Sequence, residues 1–446
     1  MVIANARHHG YCRYGGYSPV FWVNFAAMAN NITRHDFFEW MASNRLKSWF
    51  IAPAMILALG FFVLEHINGR NEFADFRVYY DAATALQNGD QVYHKAFGVS
   101  SGFYKYSPVA TLPFWLLTPL SYPIAAGIYY FVVAAVLVMF FLLVVYVHAD
   151  KLPSEGTHRG VLLTLVIGLV YGADHIEREL HLGNVNVILM TMSLFVFAYW
   201  QKQRPAISGI VLGAIILFKP HFVILLPYAV LKRHWKSLWY MVATWAVAFL
   251  ILIPWVGWSH NLTLYTEWFE AMGAHNVQLE NSPNTVYGLV NAYVFGGTLG
   301  AFGVLILLAL VGMLFYALVH RLSVVTHSRE VDSVEFALLL ALIPTLSHTD
   351  TEHFMFTFPC VLYVVYMLLH HQVHRFRVLI IVLMALAFVP YCLNSPDLVG
   401  KKVRYLFDEA GGLGLANLLI IACTVLVKWQ QPLSMRATPL PEAHRV

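Results

Sequence analysis

Charged and amide side chains occur at a few points of a strongly apolar sequence, and the first of these is the stretch NEFADFRVYYDAATALQNGDQVY at residues 71–93. It places Asp75 directly after the apolar run SWFIAPAMILALGFFVLEH. A carboxylate held there could act as a general base that takes a proton from a reacting hydroxyl. It could instead be a helix N-cap, a position at which aspartate is favoured. The sequence leaves both interpretations open.

Apolar residues in this stretch recur at helical spacing, which predicts an amphipathic helix lying in the membrane interface. Its apolar stripe, directed toward lipid or protein, comprises Phe76, Tyr79, Tyr80, Ala83 and Leu86. We expect Asp75 at the start of this helix, Gly89 near its end, and Asp81 on the opposite, solvated face.

Two further segments carry polar residues next to apolar runs. In HLGNVNVILM, residues 181–190, Asn184 and Asn186 enter a span. Amides in lipid need partners, so they either hold helices together or line a polar cavity. In FKPH, Lys219 and His221 flank a proline between two short apolar runs. The lysine could extend to the interface or bind a lipid phosphate.

A third polar segment is LSHTDTEHFMFTFP, residues 346–359. Ordinary loop polarity explains His348 and Asp350. Glu352 and His353 stand at the start of an apolar run, where a pair that can carry charge needs a reason. The pattern is not the H-E-x-x-H signature of a metalloprotease. We therefore predict neither a metal ion nor any other cofactor.

The amino-acid composition indicates the class of protein to which these residues belong. Of the 446 residues, 59% are hydrophobic and only 12% are charged, which predicts an all-α polytopic membrane protein. The net charge of +4 is too small to indicate binding of nucleic acid. The four cysteines are scattered, which argues against a zinc site or a disulfide framework. We see no internal repeat.

Membrane spans are predicted from runs of roughly 20 apolar residues. We place twelve, at 48–66, 122–147, 160–175, 183–200, 206–218, 221–231, 238–258, 298–320, 334–347, 354–371, 376–393 and 411–428. Four prolines interrupt 106–123, so we predict a re-entrant or half-crossing segment there. The short spans around FKPH would be broken or tilted helices meeting at a polar turn.

Orientation follows from the basic loops, which are expected on the cytoplasmic side. These loops are 201–205, 232–236, 320–329 and 370–377. Both termini would then be cytoplasmic. The predicted domains are an N-terminal cytoplasmic or interfacial segment (1–47), a transmembrane domain (48–428) and a cytoplasmic tail (429–446). The polar segments described above, including the turn ADHIERELHLGN, would face outward from a cell inner or plasma membrane.

Taken together, these motifs resemble glycosyltransferase family 87 over about residues 48–395. The likeness rests on the Asp75 segment, a Tyr-Ser-Pro at 106–108, G-N-V-N at 183–186, F-K-P at 218–220, N-S-P-N-T-V-Y-G-L at 281–289 and S-x-x-x-x-E-H at 347–353. Here D-T-E-H (350–353) replaces a commoner tryptophan-containing form. The resemblance implies the GT-C membrane fold with interfacial helices in the first outer loop, a polyprenyl-phosphate sugar donor with mannose favoured, and a lipid or glycan acceptor.

The resemblance also implies roles for residues. Asp75 falls on the family's acidic residue, the catalytic base, and His353 on its late-loop histidine. We predict contacts to the donor or its phosphate from Lys219, His221, Tyr79, Asn184 and Asn186. We predict supporting roles for Glu352, Tyr106 and Asn281.

Two competing functions remain open from the residues alone. A lipid or sugar transporter or flippase would place its polar groups near the membrane midplane. A polyprenyl-linked glycan ligase would use a similar donor and a large outer loop. Convergence of Asp75, Lys219 and His353 in one outward-facing cavity would favour the transferase.

Overall fold

The computed structural model describes residues 46–70, 72–98, 102–148, 158–276, 282–297, 332–346, 350–394 and 396–430, with four helical positions at 303, 306, 310 and 312. These residues form a helical bundle. Its one described sheet pairs two short antiparallel strands, β1 (Ala96–Phe97) and β2 (Gly102–Phe103). The predicted all-α class is therefore confirmed.

The helices of the first half of the chain are α1 (Leu46–Ile67), α2 (Ala74–Asn88), α3 (Leu112–Trp115), α4 (Tyr122–Val147), α5 (His158–Tyr171), α6 (Ala173–Leu182), α7 (Asn186–Gln201) and α8 (Pro205–Phe218). Those of the second half are α9 (Leu225–Leu231), α10 (Trp235–Ile251), α11 (Ile253–Val256), α12 (Trp258–Asn276), α13 (Val286–Tyr293), α14 (Ser333–Leu346), α15 (Phe358–Leu369), α16 (Arg377–Cys392), α17 (Pro396–Val399), α18 (Lys401–Glu409) and α19 (Gly412–Gln430). Within the part of the chain that the structure describes, three 3-10 segments interrupt these helices, at Pro108–Thr111, Pro220–Ile224 and Thr351–Thr357.

The predicted count of twelve spans is not confirmed. Within the described residues, five apolar helices are long enough to cross a membrane, and six if α5 and α6 form one bent span. The long ones are Trp49–Ile67, Tyr122–Val147, Trp235–Val256, Thr351–Leu369 and Gly412–Gln430. Several other predicted spans are shorter apolar helices, such as α7 and α8, with 16 and 14 residues. The predicted span 298–320 lies largely outside the described residues.

The proline-rich segment 106–123 contains no spanning helix, as predicted. Its 3-10 turn and α3 have four residues each. A helix of four residues rises only about 6 Å, whereas the hydrocarbon core is about 30 Å thick. The segment packs against α2, where the Tyr80 hydroxyl donates to the Leu120 carbonyl at 2.7 Å.

The predicted turn ADHIERELHLGN is wrong, because most of it forms α6. Its axis is bent by 66° from that of α5 at Gly172. A Cβ at Gly172 would lie 1.7 Å from the Phe358 ring, so only glycine allows this approach. The bend turns α6 across the bundle end, and the left-handed Gly183 (φ 64°) then ends it.

The basic loops 201–205 and 232–236 adjoin each other at one end of the bundle, whereas loop 320–329 lies outside the described residues. Trp200 stacks on His234 with ring centroids 5.0 Å apart. Beside them, Lys232 pairs with Glu335 at 3.2 Å, and Lys428 lies 3.6 Å from the same carboxylate. Asn186 lies at the other end of α7, which is about 24 Å long at 1.5 Å per residue.

The amphipathic helix predicted after the first span is α2. Its stripe faces protein, since Phe76, Tyr79, Ala83 and Leu86 are all buried. The helix ends at the left-handed Gly89, as expected for a C-cap. Packing on α4 and on the proline-rich segment fixes the face that presents Asp75 and Tyr79 to the bundle end.

Candidate active site

Asp75 is not the helix N-cap. That position belongs to Phe73, which has a left-handed backbone (φ 42°) and makes no side-chain capping bond. The Asp75 carboxylate instead accepts a hydrogen bond from Asn184 Nδ2 at 2.6 Å, across 109 residues of sequence. On the same helix, Asp81 pairs with Arg77 at 2.8 Å and stays partly exposed. Asp75 therefore belongs to a tertiary polar network, and Asp81 does not.

Two tyrosines extend this network. The hydroxyl groups of Tyr79 and Tyr106 lie 3.1 Å apart, and Tyr79 also donates to Asn184 Oδ1 at 3.5 Å. Tyr79 stands one helical turn after Asp75, so both project from one face of α2. Four predicted residues, Asp75, Tyr79, Tyr106 and Asn184, therefore form one connected group.

Burial and charge act against each other at Asp75. Burial raises the pKa of its carboxyl group above the ordinary value, because the charged form loses solvent. The positive charge of Lys219 and the hydrogen bond from Asn184 lower that pKa, while the charge of Asp350 raises it further. The balance is a raised pKa, and a carboxylate with a raised pKa is a stronger proton acceptor than an exposed one.

Lys219 is the centre of a second group. It stands in extended backbone between α8 and the 3-10 turn that begins at Pro220, as expected for two short helices meeting at a polar turn. Its ammonium group is buried, and donates to Asn186 Oδ1 at 2.5 Å and to His353 Nε2 at 2.7 Å. The His221 ring lies 6.1 Å from that of His353. The four predicted residues Lys219, His221, Asn186 and His353 are thus neighbours.

The two groups adjoin each other. Lys219 Nζ lies 5.7 Å from the centre of the Tyr106 ring, and the two asparagines stand two residues apart at the start of α7. A Cβ at Gly183 would lie 3.0 Å from the Phe76 Cβ, so the turn before these asparagines packs closely on α2. A carboxylate and a buried ammonium group therefore share the same end of the bundle.

Three polar residues that sequence reasoning missed support the site from α6. Glu179 is fully buried and accepts from Asn186 Nδ2 at 3.2 Å and from the Val187 backbone N–H at 2.7 Å. Arg178 lies 3.5 Å from Glu352, and His175 Nδ1 lies 2.9 Å from the Thr351 carbonyl oxygen. These contacts hold the segment 350–357 against α6, with Glu352 in the predicted supporting position.

Among the described residues, Asp350, Glu352 and His353 could hold a metal ion, since one ligand atom of each lies within 4.8 Å of the others. Carboxylate oxygen and imidazole nitrogen suit a divalent ion. Arg178 and Lys219 already contact two of the three side chains. A metal ion there would compete with both cations.

Two predicted positions lie outside the described residues, namely Asn281 and His348. The residues that follow Asn281 pack elsewhere. Thr285 caps α13 by accepting from the Gly288 N–H, and Asn284 Oδ1 accepts from the Gly414 N–H at 3.2 Å. This part of the N-S-P-N-T motif therefore joins α13 to the start of α19.

Comparison with known sequence families identifies the family of this chain. The sequence model of glycosyltransferase family 87 matches residues 103–348, more than half of the chain. Asp75, Tyr79, Glu352 and His353 lie outside this match, whereas Tyr106, Asn184, Asn186 and Lys219 lie inside it.

A curated relative is the alpha-(1->3)-arabinofuranosyltransferase of Corynebacterium glutamicum, 29% identical over 204 residues. The match covers 45% of this chain and 46% of the relative, so it spans about half of that protein. A solved structure, ArnT from Cupriavidus metallidurans bound to undecaprenyl phosphate, covers 87% of this chain and 78% of its own, with 12% identity and a TM-score of 0.36. Several described helices are long and apolar enough to cross a membrane. Because the family model covers more than half of the sequence, the chain belongs to glycosyltransferase family 87.

Proposed function

We propose that the chain transfers a sugar from a polyprenyl phosphate to a hydroxyl group of a lipid or glycan acceptor on the outer face of the membrane. One observation carries the proposal. A half-buried carboxylate, Asp75, and a buried ammonium group, Lys219, share one end of the bundle and are joined through Tyr79, Tyr106 and Asn184.

The chemistry follows from these two charges. The acceptor oxygen attacks the anomeric carbon, the bond from that carbon to the phosphate oxygen breaks, and Asp75 takes the acceptor's proton. Lys219 stabilises the charge of the departing phosphate, as a cation in a dry site does effectively. Tyr106 links the two charged residues, since its hydroxyl contacts Tyr79 and its ring lies beside Lys219. In this proposal His353 and His221 flank the phosphate, and Glu352 fixes the segment that carries His353.

Family membership favours a transferase over the transporter and flippase alternatives. The assigned residues gather at the bundle end opposite the basic loops, rather than halfway along the helices, where a transport site is expected. A polyprenyl-linked glycan ligase would share the donor chemistry and differ in using a glycan as donor. The domain limits of 48–428 for the transferase unit and the two terminal segments remain part of this proposal.

The donor can be tested directly. Purified protein with membrane lipid extract should transfer sugar from a polyprenyl phosphate and not from a nucleotide sugar, because transfer at the bundle end uses a lipid-held phosphate. Mannose is predicted from the family resemblance, and the curated relative gives a reason to test arabinofuranose beside it. The assay compares both polyprenyl-phosphate sugars with GDP-mannose, and an Asp75→Asn protein supplies the blank. Transfer from GDP-mannose in the absence of polyprenyl phosphate would overturn the proposal.

Orientation can be tested by cysteine labelling. In a background without the four native cysteines, Lys236→Cys at the basic end should react only after membranes are opened, since basic loops favour the cytoplasm. Asp90 is exposed just beyond the end of α2. In the proposed orientation, Asp90→Cys should react with an impermeant maleimide in intact cells. The reverse pattern would place the site inside the cell and would contradict an outward-facing reaction.

A further inference from the structure

Glu179 is a fully buried carboxyl group to which the proposed reaction assigns no role. It lies one residue beyond Arg178 on α6, and both of its oxygens are engaged. Oε1 accepts from the Val187 N–H and Oε2 accepts from Asn186 Nδ2. We infer that Glu179 is a positioning residue, which sets the orientation of the Asn186 amide and thereby aims Lys219 at the donor phosphate. This inference rests on the proposed function.

The two sides of an amide group form opposite kinds of hydrogen bond. Asparagine offers an acceptor oxygen on one side and a donor NH2 group on the other. In the structure both carboxyl oxygens of Glu179 accept hydrogen bonds, so Glu179 draws the Nδ2 side of Asn186 toward itself. The Oδ1 side must then face Lys219, whose Nζ lies 2.5 Å from it. A reversed amide would set two donors against each other.

A second role for Glu179 is structural, and it must be separated from the first. The opening N–H groups of a helix lack acceptors within the helix, and a negative charge near them is favourable. By accepting from Val187, Glu179 stabilises the start of α7. A purely capping residue would affect folding, but would not depend on which side of Asn186 faces Lys219.

Glu179→Gln separates the two roles. The new glutamine keeps a carbonyl oxygen for the Val187 N–H, so the cap remains. Its NH2 group donates a hydrogen bond and therefore needs the Oδ1 side of Asn186 as its acceptor. The Asn186 amide turns over as a result, and its own NH2 group then faces Lys219. We expect undecaprenyl phosphate to bind the detergent-purified protein about tenfold more weakly or worse, the usual effect of losing a hydrogen bond to a charged group. The melting temperature should change little.

The exchange variant Glu179→Gln with Asn186→Asp provides the rescue. The glutamine oxygen accepts from Val187, its NH2 donates to the aspartate, and the aspartate accepts from Lys219. Every hydrogen bond of the parent then has a counterpart. Binding should return to within about threefold of the parent, whereas Asn186→Asp alone, which sets two carboxylates against each other, should not match it.

A double-mutant cycle completes the test. On a Lys219→Met background, Glu179→Gln should add almost nothing to the loss of binding, since residues that act through one group are not additive. Additive losses, or failure of the exchange variant to recover binding, would show that Glu179 is only a structural cap and would overturn the inference. If the parent itself does not bind undecaprenyl phosphate, the proposed donor is wrong and the inference fails with it. The two failures are therefore distinguishable.

Discussion

Asp75→Asn should lower sugar transfer by about 10²–10⁴-fold, the usual contribution of a general base. The substitution removes the proton acceptor and little else. An asparagine at this position retains a carbonyl oxygen that can accept from Asn184 Nδ2, the contact that Asp75 makes at 2.6 Å. Because Phe73 occupies the N-cap position of α2, no helix cap is lost. Transfer should be measured at saturating donor, with expression and melting temperature recorded beside it.

Asp81→Asn is the matched control for this experiment. It makes the same chemical change on the same helix, but Asp81 pairs with Arg77 on a partly exposed face. An exposed ion pair contributes little, so the control should retain parental transfer and stability. If Asp75→Asn transfers sugar at the parental rate, Asp75 has no catalytic role, and the base must be sought at Glu352 or His353.

The polar residues of the candidate site were predictable where they interrupt apolar sequence. Asn184, Asn186 and Lys219 stand out because a buried amide or ammonium group needs a partner in a membrane protein. Their pairing was not predictable. Asn184 contacts Asp75 across 109 positions, and Lys219 contacts His353 across 134. Such pairs depend on how helices pack, which local spacing does not specify.

Glu179 escaped prediction for a related reason. In ADHIERELHL it is one of three acidic residues, and the density of charge indicated a solvated turn. In the structure, this segment is a helix folded across the bundle end, with Glu179 buried and Glu177 on another face. Periodicity could have suggested a helix, since Ile176 and Leu180 are four residues apart. It could not have shown which acidic side chain faces the site.

The predicted number of spans is not confirmed, because apolar runs do not reveal helix length. The predicted spans 206–218 and 221–231 are short helical segments that meet at Lys219, and the 3-10 segment Thr351–Thr357 precedes another apolar helix. The site residues lie at these breaks in regular helix. An interrupted helix exposes backbone polar groups that only a polar cavity tolerates within a membrane. The breaks that shorten these helices therefore also mark the site.

Lys219→Met should weaken donor binding by about 10- to 100-fold, because a hydrogen-bonded charge facing a phosphate is lost. Methionine preserves much of the length of the side chain but cannot donate to Asn186 or His353. Binding of undecaprenyl phosphate to the purified protein measures the effect separately from turnover. Folding is the confounding factor, since Lys219 is buried and its substitution leaves Asn186 Oδ1 and His353 Nε2 without their hydrogen-bond donor.

Lys232→Met is the control that separates binding from folding. Lys232 is also buried and lies 3.2 Å from Glu335, but it stands at the basic end of the bundle, away from Asp75. We expect this variant to lower the melting temperature while donor affinity stays at the parental value. Lys219→Met should lower donor affinity much more than Lys232→Met does, even where the two variants lower the melting temperature to a similar extent. Equal losses of affinity in the two variants would mean that Lys219 acts through folding and does not contact the phosphate.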